Sequence, residues 1–128
     1  MFKEKTTNNF IMLFLISWSI KSENRVACWN AFGNMTPADD LKDAGDNIQV
    51  VGRWHRMGGV GGVCVADCSS AADLNSWMLN WSAICEISAV PVVDDATARA
   101  SLQGKPFFAK KGEEAHVAED AGEKVDSA

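Results

Sequence analysis

His55, Arg53, Ser17 and Ser19 are the residues of this chain whose types could do chemistry together. A histidine titrates near neutral pH and can move a proton or bind a polar group. An arginine two residues away on an extended segment shares its side of the strand and can hold an anion. Serine hydroxyls could orient a bound oxygen. Trp54 offers a flat binding wall, and Glu86 is the nearest carboxylate available as a partner. Other chemistries lack their patterns. There is no HxH, HExxH or EF-hand spacing, and the second histidine, His116, lies in the acidic tail, so no metal site and no cofactor are expected. Cys28, Cys64, Cys68 and Cys85 form no CxxC pair. Cys64 and Cys68, four apart on a strand, would sit roughly 13 Å from each other, too far for one metal or a disulfide. They read as buried, reduced thiols of a cytoplasmic protein.

The glycines beside this cluster, in "VVGRWHRMGGVGGVCVADC", invite a phosphate-loop reading that the neighbouring residues exclude. A dinucleotide fingerprint needs G-x-G-x-x-G between a strand and a helix, and position 64 is Cys. The glycines run into "VCVAD", a strand, so no helix N-terminus is there to hold a phosphate. The segment reads as a hairpin turning at Gly58-Gly59.

The elements that must position these residues follow from periodicity. Residues 12–20 alternate, with Phe14, Ile16, Trp18 and Ile20 on one side and Leu13, Leu15, Ser17 and Ser19 on the other, as in a half-buried strand. Ser22 can cap a helix through Phe32, with Val26, Trp29 and Phe32 inward and Gly33 ending it. Thr36-Pro37 starts a short helix that stops at Gly45. Residues 48–56 and 60–67 form the hairpin. Ser70 and Asp73 make a capping box for a helix whose Leu74, Trp77, Met78 and Trp81 fall on one face. Residues 84–93 are a last strand, and "DDATARASLQG" is a short terminal helix. The order β-α-β-β-α-β predicts an α+β fold of ferredoxin-like topology with a four-stranded antiparallel sheet.

A two-residue turn would place His55 opposite Gly62 and Arg53 opposite Cys64. Alternation then gives one face with Arg53, His55, Gly62, Cys64 and Ala66, joined by Ser17, Ser19, Glu86 and Ser88. The other carries Ile48, Val50, Trp54, Val63 and Val65. The bulky face is expected against the helices and the small, polar one open, with Gly62 leaving a gap at the imidazole. A bulge would flip half of this assignment.

The 128-residue chain suits one domain, and 47% hydrophobic residues suffice for a core. Net charge is −5, all of it in residues 112–128, where six acids meet one lysine. The neutral remainder has no basic stripe, so nucleic acid is not an expected partner. "FIMLFLISWSI" is too short to span a bilayer and no small-residue cleavage site follows, so no membrane association is expected. The expected organisation is an extension over 1–11, a domain over 12–103 and an acidic tail over 104–128.

The segments "MLFLISWSIKSENR", "VVGRWHRMGGVGGVCVADC" and "LNSWMLNWSAICEISAVPVVDD" resemble a family of small bacterial proteins known as domain of unknown function 3303. Gly52-Arg53-Trp54-His55, the Trp77/Trp81 helix and Pro91-Val92-Val93-Asp94-Asp95 carry the likeness. The family is similar to the dimeric α/β-barrel group, in which two ferredoxin-like sheets pack face to face. That group includes monooxygenases, cyclases and stress-responsive proteins. The resemblance implies the fold and a homodimer, and supplies no reaction. The expected function is a homodimeric small-molecule-binding or structural module, its ligand small and apolar or aromatic. The alternative is a cofactor-free monooxygenase, cyclase or isomerase-like enzyme using His55 in a cleft on the open sheet face.

Overall fold

The computed structural model describes residues 12–112. The extension over 1–11 and the tail from 113 onward, with His116, lie outside the described residues. The chain divides into two compact units, one ending at Val92 and one beginning at Val93. In the first, β1 (Leu13–Ile20) leads through a 3₁₀ turn (Ser22–Asn24) into α1 (Arg25–Gly33) and α2 (Pro37–Ala44). The hairpin strands β2 (Ile48–His55) and β3 (Gly61–Cys68), then α3 (Ala71–Trp81) and β4 (Cys85–Val92), complete it. The second unit holds α4 (Asp95–Gln103), whose N-cap Asp94 accepts a hydrogen bond from the Thr97 N–H at 2.8 Å.

Caps place two of the helices where their sequences start them. Thr36 and Asp39 exchange the two bonds of a capping box ahead of Pro37, and the Ser70 hydroxyl accepts from the Asp73 N–H at 3.1 Å. Ser22 does not cap α1. It sits in the 3₁₀ turn, and α1 begins at Arg25 without a side-chain cap. The inward face of α1 differs accordingly. Cys28 is buried and Phe32, four residues on, shares its side, whereas Val26 is 65% exposed.

The four strands form one antiparallel sheet in the order β2-β3-β1-β4. This is the ferredoxin-like arrangement, and Pro91, which cannot donate to a ladder, lies on the edge strand β4. His55 pairs with Gly62 and Arg53 with Cys64, as the hairpin register predicts. The loop is longer than a two-residue turn: the last ladder bond runs from the Arg56 N–H to the Gly61 carbonyl, and Met57–Val60 project beyond it. Between Val50 and Gly52 the ladder slips by a β-bulge. Val50 therefore faces Ala66, and Ile48 and Val50 share a side with Arg53 and His55.

That side is the core. Ile16, Ile48, Cys64, Ala66, Cys68 and Leu74 form one buried cluster, and Ile20, Cys28 and Cys85 a second. The expected faces are thus reversed. The small face packs under the helices, while Trp54 (59% exposed) and Val63 (36%) lie on the open side. Small residues on β3 made that face look empty, but large side chains from elsewhere fill the space. A Cβ on Gly62 would come within 2.5 Å of the Trp18 ring, so the indole of β1 occupies the gap beside the imidazole.

Candidate ligand site

His55 ends β2 at a point where the Trp18 indole lies on its sheet side and α1 hangs over it. Its ring stands edge-on to Trp18, centroids 5.5 Å apart, and tilted against Phe32 at 4.8 Å. Among the described residues no protein group hydrogen-bonds either ring nitrogen. Partial burial first, and the Arg53 cation second, hold the imidazole below its ordinary pKa of 6.5, which favours its neutral form. Arg53, two residues earlier on the same side, lays its guanidinium 5.0 Å over the Phe32 ring and reaches Asp40 Oδ1 at 3.1 Å. That carboxylate oxygen is buried and the contact is an ion pair without an aligned N–H. The other guanidinium N–H groups have no protein acceptor among the described residues.

Beyond these polar groups lies a cavity of about 290 Å³ between the sheet and the helices. This is close to the lower end of small-molecule sites, roughly 300–1,000 Å³. Its walls are mainly apolar: Ile16, Ile20 and Ile87 from the sheet, Met35 and Met78, and the rings of Trp18, Trp29, Phe32, Trp77 and Trp81. Three of the four tryptophans have committed their indole N–H. Trp77 and Trp81 both donate to Asp43 Oδ2, at 2.9 and 2.8 Å, and Trp29 donates to the Gly59 carbonyl at 2.9 Å. Asn80 adds a bond to Asp43 Oδ1 at 3.0 Å. Asp43 therefore fixes two indoles of the cavity wall by their N–H edges. Arg53, His55, Asp40 and Asp43 are the charged or titratable groups in the wall apart from three cysteines, Cys28, Cys64 and Cys85.

The sequence-predicted residues are only partly brought together. Arg53 and His55 share the cavity. Ser17 and Ser19 alternate away from Trp18 and lie on the open face, where Ser17 pairs with Ser88 and Ser19 with Glu86. Trp54 is also on the open face, its ring lying over Gly52, where a Cβ would collide with it. Glu86 is thus separated from His55 by the sheet itself, and a cleft for His55 on the open face is ruled out by the strand pairing. Sequence reasoning missed Phe32 as a contact of both polar groups, and missed Asp40 and Asp43. Spacing held the signal for the last two: Asp40 and Asp43 at i, i+3 share one side of α2, and Trp77 and Trp81 at i, i+4 share one side of α3. Among the described residues no group of three or more histidine, cysteine or acidic side chains converges as a metal site would need.

Sheet order, crossovers and a helix-side aromatic cavity define a small α+β protein of ferredoxin-like topology. Within that class the chain belongs to the family described as Domain of unknown function (DUF3303), which it matches over residues 12–106. Among solved structures it is similar to a protein of unknown function from Nitrosomonas europaea, at 13% identity, with 68% of this chain and 94% of that one covered and a TM-score of 0.39. No curated protein matches the sequence. No helix among the described residues is long and apolar enough to cross a membrane.

Proposed function

We propose that this protein binds a small aromatic molecule with one polar end, in the cavity between the sheet and α1–α3. The carrying observation is the division of labour in the wall. Trp29, Trp77 and Trp81 have their indole N–H groups committed to protein acceptors. They offer flat apolar surface and no further donor. Among the described residues, Arg53 and His55 keep polar atoms without a protein partner at one side of the same cavity. A ligand would stack its ring among the indoles and place an oxygen at Arg53 and His55. The probe we choose is 1-naphthoate, a fused ring with a carboxylate. Calorimetric titration should show saturable binding, weakened by roughly tenfold or more in Arg53→Gln, the loss typical of a hydrogen bond to a charged group. No saturable binding, or binding indifferent to Arg53, would contradict the reading.

A second reading has its own observation. An imidazole biased toward its neutral form, beside a cation and without a hydrogen bond from any described residue, can accept a proton from a bound ligand while the cation steadies the resulting anion. His55 would then be a general base on the helix side of the sheet. His55→Ala would abolish turnover of any substrate found while leaving its affinity nearly unchanged; unaltered turnover would leave binding as the whole function.

The homodimer is proposed on the open face. Leu13, Leu15, Val63, Val65, Val90 and Val92 lie on it beside Trp54, and Trp54, Val63 and Val90 are exposed. Exposed apolar side chains gathered on one sheet face support an association site there. Four free cysteines agree with a reducing, cytoplasmic setting.

A further inference from the structure

The wall of the cavity contains a pair of thiols that neither binding nor acid–base chemistry uses. Cys28 of α1 and Cys85 at the start of β4 are both buried, with their sulfurs 4.0 Å apart, although 57 residues separate them in sequence. Both line the cavity. Cys64 lies on the floor and Cys68 bonds the Ser70 carbonyl, and neither has a sulfur partner.

We propose that Cys28 and Cys85 are a redox pair: hydrogen peroxide closes them into a disulfide that pins α1 to β4 and restricts the cavity between them. The step balances. The Cys28 thiol gives up its proton and the thiolate attacks one peroxide oxygen; the O–O bond breaks, a sulfenic acid forms, and the departing hydroxide takes that proton and leaves as water. The Cys85 sulfur attacks the sulfenic sulfur, the S–O bond breaks, and its proton leaves with the departing oxygen as a second water. Two thiols lose two electrons to one peroxide. A disulfide needs sulfurs about 2 Å apart, so the pair must close by roughly 2 Å, within reach of a side-chain rotation and a small shift of α1. Burial, and then the neighbouring Cys28, push the Cys85 thiol above its ordinary value, and the step balances in the same way whichever of the two sulfurs attacks first.

The bond matters because of what α1 carries. The contacts that hold this helix over the sheet include Cys28 against Cys85, the Trp29 N–H to Gly59, and Phe32 against His55 and Arg53. Drawing Cys28 toward β4 moves the helix that bears Trp29 and Phe32 onto the cavity. The consequence for ligand rests on the binding function proposed above, whereas the disulfide itself does not.

The test uses the full chain. Reduced protein is exposed to hydrogen peroxide under native conditions, alkylated, and digested with trypsin and chymotrypsin, which separates Cys85 from Cys64 and Cys68. The expected product is a Cys28–Cys85 cross-linked peptide, an intact mass lower by two hydrogens, and recovery of both thiols with dithiothreitol. Cys28→Ala and Cys85→Ala should each lose the cross-link. Oxidised wild-type protein should bind 1-naphthoate on the order of tenfold more weakly than reduced protein. Peroxide that yields only sulfinic or sulfonic acids, or that links Cys28 to Cys64 or Cys68, overturns the pair. A cross-link that leaves 1-naphthoate affinity unchanged overturns its control of the cavity. Reduced protein that binds no 1-naphthoate counts against the binding function and leaves the mass result to judge the disulfide.

Discussion

At the scale of single residues, His55 and Asp43 have opposite relations to their surroundings. His55 is held by rings and shifted below its ordinary pKa, so folding favours its unprotonated form. The unfolded chain, with an ordinary imidazole near 6.5, takes up the proton first as pH falls. Its contribution is thus intact above the unfolded value and is lost as pH drops toward the lower folded value. A histidine NMR titration should give a midpoint below 6.5, and urea denaturation should show stability falling in that window, with the slope reduced in His55→Gln. A midpoint above 6.5 would show an unseen acidic partner. Asp43 instead accepts bonds from three side chains. Asp43→Ala strands two half-buried indole N–H groups, and should lower unfolding free energy by about 2–4 kcal/mol. A loss within experimental error would show that Trp77 and Trp81 are held by packing alone. The chemistry of Arg53 and His55 was legible in residue type and spacing. The role of Asp43 was not, because an acid near a helix end is already explained by the helix dipole, and its indole partners lie 34 and 38 residues away.

Elements and their order were legible almost throughout, because periodicity, capping boxes and the hairpin glycines are local signals. Which sheet face meets the helices was not. Reading the faces from side-chain size failed because the gap over β3 is filled from β1, a contact no local pattern reports. The bulge between Val50 and Gly52 added to this, since one extra residue puts Ile48 and Val50 on the side of Arg53 and His55. Gly62 is the most direct probe of the corrected packing. Gly62→Ala inserts a methyl against the Trp18 ring, at 2.5 and 2.7 Å from two of its carbons, and against the Trp54 carbonyl. Overpacking of this kind should destabilise by about 1–3 kcal/mol and disturb the near-UV circular dichroism of Trp18. A variant as stable as wild type would mean that the imidazole gap is open after all.

At the scale of the whole molecule, the sheet separates two surfaces of different character. The helix side encloses the aromatic cavity, and the open side presents the valines and Trp54 through which self-association is proposed. Analytical ultracentrifugation should find a dimer at micromolar concentration, converted to monomer by Val63→Asp with Val90→Asp. A wild-type monomer would remove that proposal and leave the cavity untouched. The central claim, that ligand enters the helix side, has reporters built into the sequence. Of the five tryptophans, Trp18, Trp29, Trp77 and Trp81 line the cavity and Trp54 lies outside it. The most direct measurement is a titration with 1-naphthoate, followed through the five indole N–H cross-peaks in a ¹H–¹⁵N correlation spectrum. The cavity account predicts saturable shifts of the Trp77 and Trp81 peaks, with Trp18 and Trp29 following and Trp54 stationary. A titration that moves Trp54 while the other four stay in place would contradict it.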